Sequence, residues 1–426
     1  PKRSKRKAVA AGVVAVALVG AGVFAITKIT GNSSAKGGAA SSVEVGKQLT
    51  DSLNNEDLLG VIDLLVPNER DTFRQPFLDT VSNLKRIEVL DKGADPSKVA
   101  GLDIKLSDVS VKEDKPSADD IVNIRITADD ASTVDGTKLP IGPLLIDEAF
   151  GGKVPQTQPS IGNEPVDWRL TTVKRDGRWY LSVFYTIAET ARARTDSAKV
   201  PAQPVQLNGA DTPEHAVDDM LQALSRSDVE GLIGLLNPRE FEALQRYAPL
   251  FLKDAQKELD SQKIGVRISN TKYTVNGSGN HRSVGIDAFK ITANDGNDDV
   301  VVELKDDCLT MTRANDSADL CSGGVDGALT QFGVTDNKQV KNFVGAMRDA
   351  FAGFKPTGIA VDQVDGKWYI SPIGTGADFW VAVLKSLDKN KIVDVIDSTK
   401  AMINSFETGD VFNTDASSAT TTTTTG

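Results

Sequence analysis

One sequence pattern occurs twice in this chain of 426 residues. Residues 57–67 read DLLGVIDLLVP, and residues 228–238 read DVEGLIGLLNP. Both stretches follow apolar residues at helical spacing, which are Val45, Leu49 and Leu53 in the first copy and Val217, Leu221 and Leu224 in the second. The pattern predicts that each copy begins with two amphipathic helices, the second of which ends at Pro67 or Pro238. The length also favours two units over one core.

The two copies match again far downstream. Residues 176–182 read DGRWYLS, and residues 365–371 read DGKWYIS. An Asp-Gly pair between strand-like flanks is typical of a two-residue hairpin turn, in which both residues need positive φ. We therefore expect a β-hairpin at the end of each copy. The residues that carry this motif are structural candidates: Asp176, Gly177, Trp179, Asp365, Gly366 and Trp368.

The sequence between the helices and the hairpins has the pattern of β-strands. Residues 121–127 (IVNIRIT), for example, alternate between apolar and polar side chains, as expected for a strand with one solvated face. Helices followed by an antiparallel sheet define an α+β module. We place the first module at residues 43–193 and the second at residues 212–388. The proline-containing stretch 194–211 is the predicted linker.

The N-terminus has the composition of a membrane anchor. Five basic residues lie within residues 1–7, and residues 8–27 carry no charge. About 20 apolar residues of helix cross a bilayer, and the basic cluster predicts a cytoplasmic N-terminus. Residues 1–7 are then a cytoplasmic stub, residues 28–42 a flexible spacer, and the rest of the chain extracytoplasmic. A cleaved signal peptide is the alternative interpretation.

Cys308 and Cys321 are the only two cysteines, and a stretch rich in Asp, Asn, Ser and Gly, which we expect to be a loop, lies between them. In an extracytoplasmic chain we predict that they form a disulfide that restrains an inserted loop of the second module. A metal or redox site is the alternative, but neither a Cys-x-x-Cys motif nor a nearby histidine supports it.

Another helical pattern follows the second hairpin. Residues 377–406 carry apolar residues at helical spacing, either as one helix or as two that are separated near Asp388. This segment is predicted to pack across its own module or to contact a partner or a second copy. Residues 389–408 form the helical extension, and the tail 409–426, with six consecutive threonines, is predicted to be disordered.

The helix pair and the terminal Asp-Gly-x-Trp-Tyr hairpin together resemble the NTF2-like, or cystatin-like, superfamily. The resemblance covers both copies and implies two tandem cone-shaped modules, in each of which helices pack on a curved antiparallel sheet. A basic stub, one membrane helix and tandem outer modules are similar to exported envelope proteins of Gram-positive bacteria. The bias towards Ala, Gly, Val and Asp also suits an actinobacterial source. The family supports enzymes, ligand binders and scaffolds, so the fold does not define the function.

Few residues suggest catalysis. The two histidines are His215, near a predicted helix start, and His281, in a polar loop, and the sequence shows no catalytic companion for either. The sequence lacks phosphate-binding and dinucleotide-binding motifs and the spaced ligands of a calcium loop. We therefore predict no catalytic, cofactor-binding or metal-binding residues and no cofactor.

The net charge of −11 argues against a partner nucleic acid, because binding phosphates requires a basic face. We expect a non-enzymatic, membrane-anchored extracytoplasmic protein that binds a partner protein, a wall polymer or an apolar ligand. One alternative is a scaffold of a secretion, conjugation or cell-division assembly. A second is an isomerase or hydrolase that acts on a small or lipidic substrate, and a homo-oligomer is compatible with each.

Overall fold

The structure is a computed structural model. It describes these parts of the chain: residues 37–98, 100–154, 165–194, 199–261, 265–294, 299–306, 308–313, 316–319, 342, 345–346, 349 and 357–408. Its architecture is mixed α and β, and the sheets are antiparallel. We call residues 37–194 the first half and residues 199–386 the second half.

Three helices open the first half: α1 (Ser42–Asn54), α2 (Leu58–Asp63) and α3 (Pro67–Arg86). The Ser41 hydroxyl accepts from the backbone N–H of Glu44, and the Asp57 carboxylate accepts from that of Gly60, so polar side chains cap α1 and α2. Pro67 is the first residue of α3. The sequence-based prediction that Pro67 only ends a helix was therefore incomplete, because proline is also favoured at the first helical position.

The main sheet of the first half has the order β2–β3–β5–β6, and helix α4 follows it directly. A separate pair, β1 and β4, lies beside it, and a π-helical turn at Leu145–Ala149 precedes β5. The elements are β1 (Leu102–Asp103), β2 (Leu106–Glu113), β3 (Ile121–Asp130), β4 (Thr133–Val134), β5 (Val166–Arg175), β6 (Arg178–Ser182) and α4 (Val183–Arg192).

The second half repeats the opening helices, but two helices stand where the first half has α3. These helices are α5 (Pro213–Ser225), α6 (Val229–Leu235) and, in the place of α3, α7 (Pro238–Tyr247) and α8 (Leu252–Ser261). Thr212 caps α5 and Asp228 caps α6, at the positions that Ser41 and Asp57 occupy in the first half. Pro238 is the first residue of α7, as Pro67 is of α3. The starts of the third helices therefore correspond as well.

Among the described residues, the sheet of the second half has seven strands in the order β11–β10–β9–β8–β12–β13, with β7 also paired to β8. Its strands are β7 (Gly265–Ser278), β8 (His281–Asn294), β9 (Asp299–Lys305), β10 (Cys308–Arg313), β11 (Asp316–Asp319), β12 (Ile359–Val364) and β13 (Lys367–Ile370). Cys308 begins strand β10, so the stretch after it is not the loop that the sequence predicts. Cys321 lies outside the described residues, and the disulfide stays a prediction.

Each half has a core between its first helix and its sheet. In the first half, Val45 and Leu49 of α1 pack with Ile124 and Ile126 of β3, and all four are buried. In the second half, Val217 of α5 joins an equivalent buried cluster with Val284, Val361, Trp368 and Ile370. Apolar burial on this scale is the main stabilising term for each half.

The same backbone contacts recur in the two halves. Ala39 exchanges two hydrogen bonds with Trp179 at 2.7 and 2.9 Å, and Ala210 exchanges two with Trp368, both at 2.8 Å. The N–H of Val66 donates to the carbonyl of Leu181, just as that of Asn237 donates to the carbonyl of Ile370. Equivalent positions differ by 171 residues in the helices and by 189 in the hairpins, as in the sequence. This correspondence allows positions in the two halves to be compared one by one.

After β13 the chain forms α9 (Pro372–Ser386) and α10 (Lys389–Thr408), so the predicted helical segment is two helices. This segment contacts the first half as well as its own. The Arg86 guanidinium donates to the carbonyls of Leu384 and Leu387 at 2.7 and 3.1 Å. Lys389 pairs with Glu88 at 2.6 Å.

The two halves meet through equivalent helices. The last helix of the first half, α4, packs on the third helix of the second half, α7. Reciprocally, α9 packs on α3, and α3 also contacts α7. The junction therefore has an approximate twofold arrangement, like the interface of a symmetric dimer within one chain.

None of the helices in the described part of the chain is both long and apolar enough to cross a membrane. The predicted anchor at residues 8–27 lies outside the described residues.

Candidate functional site

The junction between the halves has two corresponding sides, and they differ in chemistry. On the α4–α7 side, buried side chains pack against one another. On the α3–α9 side lies a cleft of about 1000 Å³. We call the filled side the tyrosine cluster, and its buried residues are Val66, Ile121, Val173, Tyr180, Tyr185, Ala243 and Tyr247.

Polar groups surround the tyrosine cluster and join the halves. The rings of Tyr185 and Tyr247 meet edge to face, with their centroids 6.0 Å apart. Arg246 binds both carboxylate oxygens of Asp120, at 2.6 and 2.8 Å, and Arg175 links Asp120 to Glu242. Burial alone would raise the pKa of Asp120, but hydrogen bonds and the charges of both arginines hold that pKa below its usual value.

Glu189 of α4 completes this side of the junction. Its buried carboxylate accepts hydrogen bonds from Tyr247 at 2.5 Å and Asn123 at 2.7 Å, and from Arg192. Burial opposes ionisation, but these donors and Ser117 lower the pKa of Glu189 to about 2. The carboxylate is therefore ionised and fully engaged, and it holds α4 to both α7 and the sheet.

Residues of the opposite side occupy corresponding positions but are polar or small. His281 and Asp362 face each other across β8 and β12, as Ile121 and Val173 do across β3 and β5. Gly374 donates its N–H to the Ser371 hydroxyl, as Tyr185 does to Ser182. The exchanges from the tyrosine cluster are Val66 to Asn237, Ile121 to His281, Val173 to Asp362, Tyr185 to Gly374, Ala243 to Thr72 and Tyr247 to Pro76. All six replacements line the cleft, which we call the polar cleft.

His281 lines the polar cleft and lies between two carboxylates. Its Nδ1 is 2.6 Å from Asp362 Oδ1, and its Nε2 is 3.1 Å from Asp378 Oδ2 on α9. These hydrogen bonds raise the pKa of His281 to about 10, and burial opposes the shift only in part. The imidazolium is therefore charged at neutral pH and ties β8 and β12 to α9. It cannot serve there as a general base, because both nitrogens carry protons.

Glu240 is a buried carboxylic acid at the edge of the polar cleft. The Ser371 hydroxyl and the N–H of Ile373 donate to it at the first turn of α9. Burial raises the pKa of Glu240 to about 7, against the effect of these hydrogen bonds. Glu69 has the same arrangement in the first half, where Ser182 and Val183 donate to it and burial raises its pKa to about 7. This buried carboxyl group occurs on both sides of the junction, although only one side has a cleft. We therefore interpret it as the anchor of a helix start and not as a catalytic acid.

The sequence-predicted motifs lie away from the polar cleft. Asp176 and Gly177 form the first hairpin turn with φ of 50° and 79°, and Asp365 and Gly366 form the second with 50° and 82°. Trp368 is buried in the core of the second half, and Trp179 packs against that of the first. His215 lies exposed in the first turn of α5. Among these candidates, only His281 belongs to the site.

Sequence reasoning missed the partners of His281 because Asp362 and Asp378 lie 81 and 97 residues away in the chain. A position-by-position comparison of the two copies contained a usable signal. Tyr185 aligns with Gly374 three residues after a shared serine, and Val173 aligns with Asp362 three residues before the shared Asp-Gly turn. Large apolar residues in one copy that align with small or polar residues in the other indicate where one side of the junction lacks apolar packing.

Within the described parts of the chain, no three His, Cys, Asp or Glu side chains gather in a way that could hold a metal ion. Both nitrogens of His281 are occupied by carboxylates, so neither has a lone pair directed at a ligand. What the cleft presents instead is a wall of hydrogen-bonding amide, hydroxyl and carboxylate groups.

No family model and no curated protein matches this chain. Among solved structures, it is similar to a cystatin-like protein from Ruminococcus gnavus ATCC 29149, with 9% identity, coverage of 67% of this chain and 84% of that chain, and a TM-score of 0.16. It is also similar to an Ntf2 like protein involved in plasmid conjugation, with 10% identity, coverage of 64% and 97%, and a TM-score of 0.14. TM-scores this low carry no argument about the fold or function of this chain.

Proposed function

We propose that this chain is a non-enzymatic, membrane-anchored extracytoplasmic protein whose two NTF2-like modules hold a polar ligand in the cleft between them. The repeated helix and hairpin motifs support the two-module interpretation, as do the matching contacts of the two halves. The basic stub and the uncharged residues 8–27 support the anchor. The ligand belongs to a partner protein or a wall polymer.

The observation that carries the proposal is the difference between the two sides of the junction. A buried cluster of Tyr, Val, Ile and Ala on one side corresponds to Gly, Pro, Asp, His, Asn and Thr on the other. Exchanging core residues for polar and small ones removes apolar burial, at roughly 1.5–3 kcal/mol for each large side chain. Such a loss without a ligand would only weaken the junction, so we assign the open side a binding role.

The polar lining disfavours the apolar ligand that the sequence left open. An apolar molecule in the cleft would cover carboxylates and amides without forming hydrogen bonds to them, which is unfavourable. The state of His281 and the repeated role of Glu240 favour binding over acid–base chemistry. Packed side chains also occupy the space between α1 and its sheet in the first half, where an enclosed active site would otherwise lie.

Photo-crosslinking from within the cleft tests this function for any class of ligand. A benzophenone amino acid replaces Gln75, an exposed cleft residue, in the full chain in the membranes of the producing cell. We expect an adduct that disappears with Gly374→Tyr, which supplies the side chain of Tyr185 once the Ser371 hydroxyl has shifted away from the added Cβ. Gly376→Tyr is the matched control, because its side chain enters open space. An adduct that persists with Gly374→Tyr, or no adduct at all, would contradict the proposal.

A further inference from the structure

The lining of the polar cleft is rich in groups that both donate and accept hydrogen bonds. Asn68 and Gln75 extend from α3, Asn280 from the β7–β8 turn and Gln363 from β12. An amide side chain offers a carbonyl acceptor beside two N–H donors. Ligand groups that match this arrangement must also donate and accept at short spacing, as neighbouring hydroxyl groups do.

The charges of the cleft select against a strongly charged ligand. Asp71 and Asp79 face it from α3, while Arg239 and Lys385 face it from α7 and α9. The carboxylates of Asp362 and Asp378 share the single positive charge of His281, and the carboxyl group of Glu240 has a pKa of about 7. The cleft therefore has a small excess of negative charge, but an anion and a cation would each meet like charges in it, so charge complementarity would add little affinity.

The size and composition of the cleft narrow the choice further. At about 1000 Å³ it lies at the upper end of the range for ligand sites, so it has room for more than one small polar ring. Four of its lining side chains are apolar, and none of the four is a large aliphatic or aromatic residue of the kind that lines a lipid pocket: Pro76, Ala377, Val381 and Ala382.

We propose that the polar cleft binds a neutral, hydroxyl-rich ligand, the chemistry of a carbohydrate chain. The inference rests on the proposed function and narrows it to one ligand class. Hydrogen bonds from Asn68 and Asn280 to hydroxyl or acetamido groups supply the specificity. Because these bonds involve no ion pair, binding depends only weakly on salt.

Isothermal titration calorimetry of the full chain in detergent tests the ligand class with three probes: an N-acetylglucosamine tetramer, spermidine and a glycerol phosphate oligomer. We expect the sugar probe to bind, with Kd changing less than about threefold between 50 and 500 mM salt. Asn280→Ala should weaken binding roughly tenfold by removing the hydrogen bonds of one polar side chain. Asn276→Ala, an exposed amide of the same hairpin outside the cleft, should not.

The outcomes separate this inference from the function on which it rests. Spermidine or glycerol phosphate binding that is steeply salt-dependent and lost in Gly374→Tyr, without sugar binding, would overturn the ligand class but keep the cleft as a site. Sugar binding that survives Gly374→Tyr would overturn the inference, since the sugar would then bind elsewhere. No response of any probe, together with no crosslink at position 75, would overturn both.

Pro76→Tyr gives a second way to fill the cleft, from α3, if Gly374→Tyr does not fold. Tyr247 shows that a tyrosine fits at the corresponding position of α7. Loss of sugar binding in this variant supports the inference, and unchanged sugar binding contradicts it.

Discussion

At the scale of single residues, the sheet position that His281 and Asp362 occupy has different chemistry in the two halves. In the first half, Ile121 and Val173 occupy that position and are fully buried. In the second half, the same strand pair carries an imidazolium and a carboxylate, and Asp378 adds a second carboxylate from α9. An apolar contact in the first half thus corresponds to a charged contact between sheet and helix in the second half.

His281→Asn should therefore reduce stability in a pH-dependent way. The folded pKa of about 10 lies above the unfolded value of 6.5, so the stabilisation is complete below pH 6.5 and is lost as pH rises to 10. We expect the variant to be less stable by about 1 kcal/mol at pH 6, since the pair is half exposed, and equal to the parent above pH 10. Urea unfolding across this range, with His215→Asn as the control, measures it. A difference that stays constant up to pH 10 would exclude this role.

Glu69 and Glu240 contribute with the same sign as His281 but at lower pH, because burial raises their pKa values from 4.5 to about 7. Stability from these groups is complete below pH 4.5 and is lost as pH rises through 7. The double variant Glu69→Gln, Glu240→Gln should remove this loss, which is up to about 3 kcal/mol for each carboxyl group. Unfolding free energies at pH 4.5 and 8 test it, with the exposed Glu258→Gln as the control. The same pH dependence in variant and parent would contradict it.

At the scale of elements, periodicity and turn chemistry predicted helices and hairpins but not which elements pack together. The Asp-Gly pairs predicted both hairpins, because both turn residues must adopt positive φ. Helix α3 was missed although Phe73, Phe77 and Val81 have helical spacing, because Pro76 interrupts the pattern and Pro67 was interpreted as an end. Its role as a cleft wall could not be predicted, since it depends on contact with α9, about 300 residues further along the chain.

The α4–α7 contact should behave as an intramolecular interface with strongly coupled charges. Asp120 and Arg246 form a bidentate, partly buried pair across it. We expect a double-mutant cycle with Asp120→Ala and Arg246→Ala to give a coupling energy of about 1–3 kcal/mol. The exposed pair Arg125–Asp167, within one sheet, should give less than about 1 kcal/mol. Equal coupling energies for the two pairs would argue against a special role for the junction.

At the scale of the whole molecule, the correspondence between the two halves accounts for both the architecture and the site. The repeat in the sequence predicted two related units and their order, because helix caps, apolar spacing and turns are local properties. It could not predict that each unit places its last helix on the third helix of the other, since this depends on surfaces that only the folded halves present. One side of the junction is filled and the other is open because residues of different size, such as Tyr185 and Gly374, occupy corresponding positions.

Hydrogen–deuterium exchange with and without the N-acetylglucosamine tetramer tests the central claim, that the open side of the junction binds the ligand. Bound ligand should slow amide exchange at the β7–β8 turn, along α3 from Asp71 to Asp79 and along α9 from Gly374 to Ala382. Exchange in α4 and at residues 243–247 of α7, which form the tyrosine cluster, should stay unchanged. Protection confined to α4 and residues 243–247, or no protection around the polar cleft, would contradict this claim.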